Sequence, residues 1–195
     1  MHQRYKASER MSVSDEHLLE LALQGDGDCF GQLVERWEGK IYGFIYRYVR
    51  NREEARDLTQ DTFTKAFQNL DRLSDPARFS SWLYTIALNE CRMRFRRQNP
   101  AYRISSLDES RNDIEQLDRH EVTPERTYEG REKIRQMIEA FGHLPDEQRV
   151  VILMKEYQGL KFHEIADALD IPVSTAKSRL YLGLRTLKRL MEKAI

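Results

Sequence analysis

Between positions 30 and 48 the apolar residues Phe30, Leu33, Val34, Trp37, Ile41, Phe44, Ile45 and Tyr48 recur mostly three and four apart. That spacing places them on one face of a helix, and no strand-like alternation competes with it. Leu18, Leu19, Ala22 and Leu23 repeat the pattern in a shorter helix, which Gly25 and Gly27 close. Ala55, Leu58, Thr62, Ala66 and Leu70 give a third helix, from near Arg52 to Leu73, with Asp57, Gln60, Asp61 and Thr64 on its other side. The Ser74-Asp75-Pro76 break ends it, so residues 14–97 read as a helical module that includes one further helix.

That fourth helix lies in RFSSWLYTIALNECRMRFRR, residues 78–97. On a helical wheel Trp82, Ile86 and Met93 fall together, with Leu83 and Ala87 alongside, and Tyr84, Leu88, Cys91 and Phe95 fall nearly opposite. Between them runs a polar stripe of Thr85, Asn89, Arg92 and Arg96, which should be the exposed strip of an otherwise buried helix. Cations for phosphate, an amide for a base edge and Trp82 at the border for stacking are what single-stranded nucleic acid needs. Phe79 and Tyr84 read as core. Arg94 and Arg97 point elsewhere, as solvated groups favoured by the end of a helix dipole.

A polar stretch, QNPAYRISSLDESRNDIEQLDRHEVTP, has prolines near both ends and no sustained apolar period. It reads as a flexible acidic linker over 98–128 with at most short helical turns. Residues 129–195 form a second module. Ile134, Met137, Ile138 and Phe141 predict one helix, Leu144-Pro145 breaks it, and Val150, Val151, Leu153, Met154 and Tyr157 predict another before Gly159.

FHEIADALDIPVSTAKSRLYLGLRTLKRLM then has the form of a helix-turn-helix. Ile165, Ala166 and Leu169 belong inside the first helix, Asp170-Ile171-Pro172 is the turn, and Val173, Ala176, Leu180, Leu184, Leu187 and Met191 belong inside the second. Ala166 is small enough to let the helices cross closely. Ser174, Thr175, Lys177, Ser178 and Arg179 occupy the N-terminal part of the second helix, where a recognition helix meets bases and phosphates in the major groove.

The 195 residues carry 32 basic and 32 acidic side chains, a neutral balance that by itself argues against a polyanion ligand. The distribution says otherwise. From Ser81 to Arg103 five arginines oppose Glu90, and from Pro172 to Ile195 six lysines and arginines oppose Glu192. Between them, Ile104 to Glu129 holds eight acidic residues against three arginines. Two basic patches flank an acidic connector, and this local charge governs nucleic-acid binding.

Enzyme chemistry has no visible basis. His2, His17, His120, His143 and His163 are scattered, and no nucleophile–base pair, phosphate-cradling glycine loop or metal cluster is apparent. No catalytic residue, cofactor, metal or small-molecule substrate is expected. Cys29 and Cys91 are far apart and outside any CxxC spacing, which fits a reducing cytoplasm. The N-terminus has no signal-peptide core, and no stretch approaches the roughly 20 apolar residues of a membrane span, so no direct membrane insertion is expected.

DLTQDTF near residue 60, RFSSWLYTIALNECRMRFRR, the acidic linker and LPDEQRVVILMKEYQGLKFHEIADALDIPVSTAKSRL, in that order, resemble the extracytoplasmic-function group of bacterial RNA polymerase sigma factors, within the sigma-70 superfamily. The resemblance covers nearly everything from about Asp15. Residues 1–13 fall outside it as an N-terminal extension expected to be disordered, with Met11 an alternative start to Met1. It implies an all-α fold of two small domains, a region 2 domain over 14–97 and a region 4 domain with the helix-turn-helix over 129–195.

It also implies partners and roles. Asp57, Gln60, Asp61 and Thr64 lie on the helix that docks on the beta-prime clamp of core RNA polymerase, and the second domain meets the beta flap. Leu58 and Phe63 of that helix would stay in the core. Trp82, Thr85, Asn89, Arg92 and Arg96 lie in the segment that engages the minus-ten element. Residues 73–80 match the loop that captures a flipped base, and Ser174, Thr175, Lys177, Ser178 and Arg179 match the minus-thirty-five contacts. A cognate anti-sigma factor is a further expected partner, and the implied role is promoter recognition and melting for a stress or envelope-response regulon.

Two departures stand out. Leu73-Ser74-Asp75-Pro76-Ala77-Arg78 replaces the Phe-Arg-Gly-Asp that the family's loop often has, and Leu182 stands where an arginine is common, next to Gly183, which costs a helix roughly 1 kcal/mol relative to alanine. The competing interpretation is a stand-alone helix-turn-helix regulator that binds operator DNA without polymerase.

Overall fold

The computed structural model describes residues 13–98 and 136–193, and all regular secondary structure among them is helical. In chain order these are α1 (Asp15–Leu23), α2 (Gly27–Val49), α3 (Arg52–Gln68), α4 (Phe79–Gln98), α5 (136–142), α6 (Asp146–Ile152), α7 (Phe162–Leu169) and α8 (Val173–Lys193). Two 3-10 turns, Leu70–Arg72 and Pro76–Arg78, lead from α3 to α4, and a π-helical turn at Leu153–Tyr157 prolongs α6. The expectations for residues 1–12, for the connector beyond Gln98 and for Ile134 lie outside the described residues.

Side-chain caps set several helix starts. Ser14 accepts from the N–H of His17, and Asn51 from that of Glu54. The Asp26 carboxylate accepts from the N–H groups of Asp28 and Cys29 at 3.0 and 3.3 Å. That cap makes Gly27 the first residue of α2 rather than part of the close of α1. Gly25, at φ +99°, does end α1. The third helix stops earlier than its apolar spacing predicts, at Gln68, where the Asn69 side chain donates to the Lys65 carbonyl and the chain tightens into a 3-10 turn.

The first bundle closes around α2. Trp37 Nε1 donates to Asp15 Oδ2 at 2.8 Å, and Arg36 reaches both Asp15 Oδ1 and the Val13 carbonyl, which ties α1 down. Val13 is therefore held by the fold and does not belong to a loose extension. Leu33, Ile41, Phe44, Ile45, Ala55, Leu83, Ala87 and Cys91 are fully buried. Each large side chain of this kind contributes about 1.5–3 kcal/mol from the removal of its surface from water. Glu90 is buried as well, paired with Lys65 Nζ, which satisfies a charge the core would otherwise expel.

In the second bundle, Val150, Val151, Ile152, Leu153 and Met154 pack with Ile165, Ala176 and Leu180. Five side chains expected inside are instead exposed: Leu23, Met93, Tyr157, Val173 and Leu184. Leu23 is the last residue of α1 and Val173 the first of α8, so each lies past the neighbouring helix. The π turn shifts the register and carries Tyr157 outward, beneath the Arg47 guanidinium. Leu184 is displaced because Ala176, Leu180 and Gly183 form the buried face of α8, with Gly183 set against Ile152 of α6, and position 184 lies at the edge of that face, about 70° from its centre.

The two bundles are docked. Buried side chains run continuously from the first into the second, with the second set against α4 and the C-terminal end of α2. Tyr84 donates to Gln158 Oε1 at 3.0 Å, and Arg50, left-handed at φ 58°, donates to the Ile138 carbonyl.

Candidate nucleic-acid interface

The polar stripe of α4 is exposed only in part. Asn89 and Arg96 face solvent, whereas Thr85 and Arg92, expected in the same exposed strip, are half-buried beneath the second bundle. Thr85 Oγ1 sits 2.9 Å from both the Ser81 carbonyl of its own helix and the Ala168 carbonyl of α7. Arg92 reaches Asp146 Oδ2 with Nη2 at 3.0 Å and Nε at 3.3 Å. Trp82 is half-buried against Phe79, with ring centroids 6.1 Å apart, and Phe79 and Tyr84 are core.

Asp146, which no apolar period or motif singles out, is the hub of this seam. Its Oδ1 accepts from Tyr48 Oη at 2.7 Å and from Arg149 Nη2 at 3.0 Å. Burial pushes its carboxyl up, but Arg149, the Tyr48 hydroxyl and Arg92 outweigh that and hold it below the usual carboxylate range. Arg92 is likewise disfavoured by burial but raised on balance by Asp146, so the pair stays ionised. Burial and the adjacent Asp146 charge push the Tyr48 phenol far up, which keeps it a proton donor. The available signal was an acid at the first position of a helix, where the dipole favours a carboxylate.

In the loop before α4, Leu73 is buried while Ser74, Asp75, Ala77 and Arg78 are exposed. The Asp75 carboxylate accepts from the Ala77 N–H, with Pro76 opening the turn. Arg78 Nη2 lies 2.7 Å from Asp167 Oδ1 of α7.

The helix-turn-helix forms as its sequence implies. Asp170 takes the left-handed conformation at φ 52°, and the Ile171 N–H donates to the Ala166 carbonyl at 3.0 Å. Ser174, Lys177 and Ser178 are exposed on the first turns of α8. Thr175 and Arg179 are half-buried, and Arg179 Nη2 is 2.6 Å from Glu147 Oε2.

On α3, Asp57, Gln60, Asp61 and Thr64 form one exposed face. Phe67 extends it, more than half exposed with its ring 5.1 Å from that of Phe30. Position 67 continues the spacing from 60 and 64, a signal that the hydrophobicity of the residue obscured. Among the described residues no group of three or more His, Cys, Asp or Glu side chains is placed to hold a metal, and no helix is long and apolar enough to cross a membrane.

The two bundles coincide with two family models, Sigma-70 region 2 over residues 33–100 and Sigma-70, region 4 over residues 134–187. The ECF RNA polymerase sigma factor SigW of Bacillus subtilis is 33% identical over 169 residues, which span 85% of this chain and 90% of that protein. The chain belongs to the extracytoplasmic-function sigma factors of RNA polymerase.

The ECF RNA polymerase sigma-E factor of Haemophilus influenzae is 31% identical across 87% of this sigma factor and 90% of its own length. Two solved structures share the fold. CnrH in complex with the cytosolic domain of CnrY aligns with a TM-score of 0.68 at 24% identity, covering 92% of this chain and 97% of that one. The sigma factor RpoE in complex with the anti-sigma factor NepR from Bartonella quintana aligns at 0.63 and 20% identity, covering 84% and 96%. Membership makes the protein a promoter-specificity factor, an initiation factor rather than a classical enzyme, and disfavours the stand-alone operator-binding regulator.

Proposed function

We propose that this sigma factor divides promoter recognition between its two bundles. Asp57, Gln60, Asp61 and Thr64 dock on the beta-prime clamp of core polymerase, with Phe67 supplying an apolar anchor, and the second bundle meets the beta flap. Trp82, Thr85, Asn89, Arg92 and Arg96 engage the minus-ten strand, while Ser174, Thr175, Lys177, Ser178 and Arg179 contact the minus-thirty-five duplex. The loop at 73–80 takes an extruded base, and binding of the exposed strand offsets the few kcal/mol of unstacking. The cytoplasm is the compartment this role requires. RpoE of Bartonella quintana was solved with an anti-sigma factor, and we assign a partner of that kind to this chain.

The observation that carries this reading is the pairing of two different polar faces on two matched bundles. One has an amide and cations beside an aromatic ring, chemistry suited to a single strand. The other places hydroxyls and cations at the start of a recognition helix, chemistry suited to a duplex groove. Run-off transcription with purified core polymerase and genomic promoter fragments tests it. Promoter-dependent transcripts are expected, and no initiation above core alone across a broad fragment set overturns it.

A further inference from the structure

The face that α4 turns to solvent is not the one its polar residues mark. On a helical wheel Trp82, Ile86, Asn89, Met93, Arg96 and Arg97 fall within an arc of about 100°, centred about 60° round the helix from the middle of the polar stripe. Asn89, Met93, Arg96 and Arg97 are exposed, and Trp82 and Ile86 are half-buried, each packed on one side against the core. Apolar spacing assigns Met93 to the interior, yet it is 39% exposed. Among the described residues it is the one methionine that faces solvent, since Met154 is fully buried and Met137 and Met191 are half-buried.

We propose that Met93 is a contact residue for the bases of the melted strand and the apolar centre of this open face. The proposal rests on the assignment of α4 to the minus-ten strand and adds how that strand is held. Trp82, Ile86 and Met93 form an apolar floor, Asn89 is its single amide, and Arg96 and Arg97 close its C-terminal end with positive charge. Glu90, the one acid of α4, is buried and paired with Lys65, so no carboxylate of this helix stands on the face. Apolar surface ending in two cations suits a polyanion whose bases are unstacked. Trp82 to Met93 covers about 16 Å of helix, enough for a few nucleotides. The thioether is unbranched and polarisable, so it packs on an aromatic ring without a fixed geometry. Every base has such a ring face, which makes the grip of Met93 tolerant of sequence, while the Asn89 amide reads a base edge.

Three changes at this one position separate a base contact from a packing role. Met93→Leu keeps an apolar side chain of similar size. Met93→Gln keeps the length and replaces the thioether with a polar amide. Oxidation by hydrogen peroxide acts on the folded protein: the sulfur lone pair attacks one peroxide oxygen, the S–O bond forms as the O–O bond breaks, and the other oxygen leaves as water. The thioether loses two electrons to the peroxide and becomes a polar sulfoxide, which methionine sulfoxide reductases return to the thioether.

The full chain, oxidised or untreated, is assembled with core polymerase. Binding of a fluorescein-labelled non-template strand, taken from a promoter fragment that supports run-off transcription, is followed by anisotropy across a salt series. Met93→Gln and the sulfoxide should each weaken binding about fivefold with an unchanged salt slope, Met93→Leu should stay within about twofold, and enzymatic reduction should restore the oxidised protein. Arg96→Ala should instead lower the salt slope by about 0.7, the value for one phosphate of a single strand. Unchanged affinity in Met93→Gln overturns the proposal, as does a loss matched by an equal loss of core polymerase affinity, which marks a packing role. Oxidised Met93→Leu controls for the other methionines, and a loss there as large as in the wild type overturns the proposal as well. Should Met93→Gln fail to fold, the sulfoxide decides alone, and no loss on oxidation overturns the contact. Run-off transcription by the wild type separates the two ideas. Initiation with no effect at Met93 refutes the contact alone, and absence of initiation on every fragment refutes the promoter reading and the contact with it.

Discussion

Gly183 of α8 faces Ile152 of α6 so closely that a Cβ built on it would lie 2.9 Å from Ile152 Cδ1 and 3.1 Å from Gln148 Cβ. Helix propensity favours alanine there by roughly 1 kcal/mol, which makes the glycine look like a defect. The contact reverses that preference, because the helices of the second bundle approach through the space a methyl group would fill. Gly183→Ala should therefore lower stability, by about 1–3 kcal/mol as overpacking does. A denaturant midpoint equal to or above wild type would show that α6 and α8 separate freely.

Acid should open the seam before it melts the bundles. The Asp146 carboxyl is held below its ordinary value of 3.8, so its contribution is complete above that pH and is lost as pH falls through the lower folded value. Asp146→Asn removes this contribution, about 1.5–3 kcal/mol for a hydrogen bond to a charged group. The wild type and Asp146→Asn should differ in stability at neutral pH and begin to converge only as pH falls below 3.8 toward the lower folded value, in urea titrations across that range. A gap independent of pH would exclude Asp146 as the titrating group.

Asn89→Ala and Arg92→Ala should both reduce open-complex formation more than core binding. The Asn89 change is the cleaner probe, since Asn89 is exposed and Arg92 also closes the seam. Its expected cost is about tenfold in permanganate-detected melting, or ~1.4 kcal/mol. A matching loss of core polymerase affinity would contradict the minus-ten role.

Lys177 and Arg179 should contribute unequally to duplex binding. Lys177 is exposed, whereas Arg179 is paired with Glu147 and must leave that partner to reach phosphate. Replacing both with alanine should reduce the salt slope of minus-thirty-five binding by roughly 1–2, with most of the change already present in Lys177→Ala. An unchanged slope would place this face away from DNA.

How much was readable in advance follows from the range of each signal. The core face of α2 and the helix-turn-helix turn at 170–172 are set by residues within a few positions of one another. Spacing and small-residue chemistry therefore specified them. Gly27 was misread because Gly25 next to it does end a helix, and only the Asp26 cap tells the two glycines apart. Phe67 was overlooked because an aromatic on a helix is ordinarily core, and its exposure depends on where α2 ends its contact with α3. Leu184 was assigned to the core from periodicity alone, without the close approach at Gly183 that turns α8.

The sequence by itself determined the helices, the all-α class, the order of the two bundles and the candidate strip on α4. These depend on local backbone preference and on apolar period. Only the tertiary structure decided that Thr85 and Arg92 meet Ala168 and Asp146, residues 83 and 54 positions away. It likewise decided that Arg78 meets Asp167, so that part of the strip is covered while Asn89 and Arg96 are left open. A wheel ranks the faces of one helix by polarity. It carries no information about which distant carboxylate will come to rest on a polar face, because that is fixed by the packing of two bundles against each other.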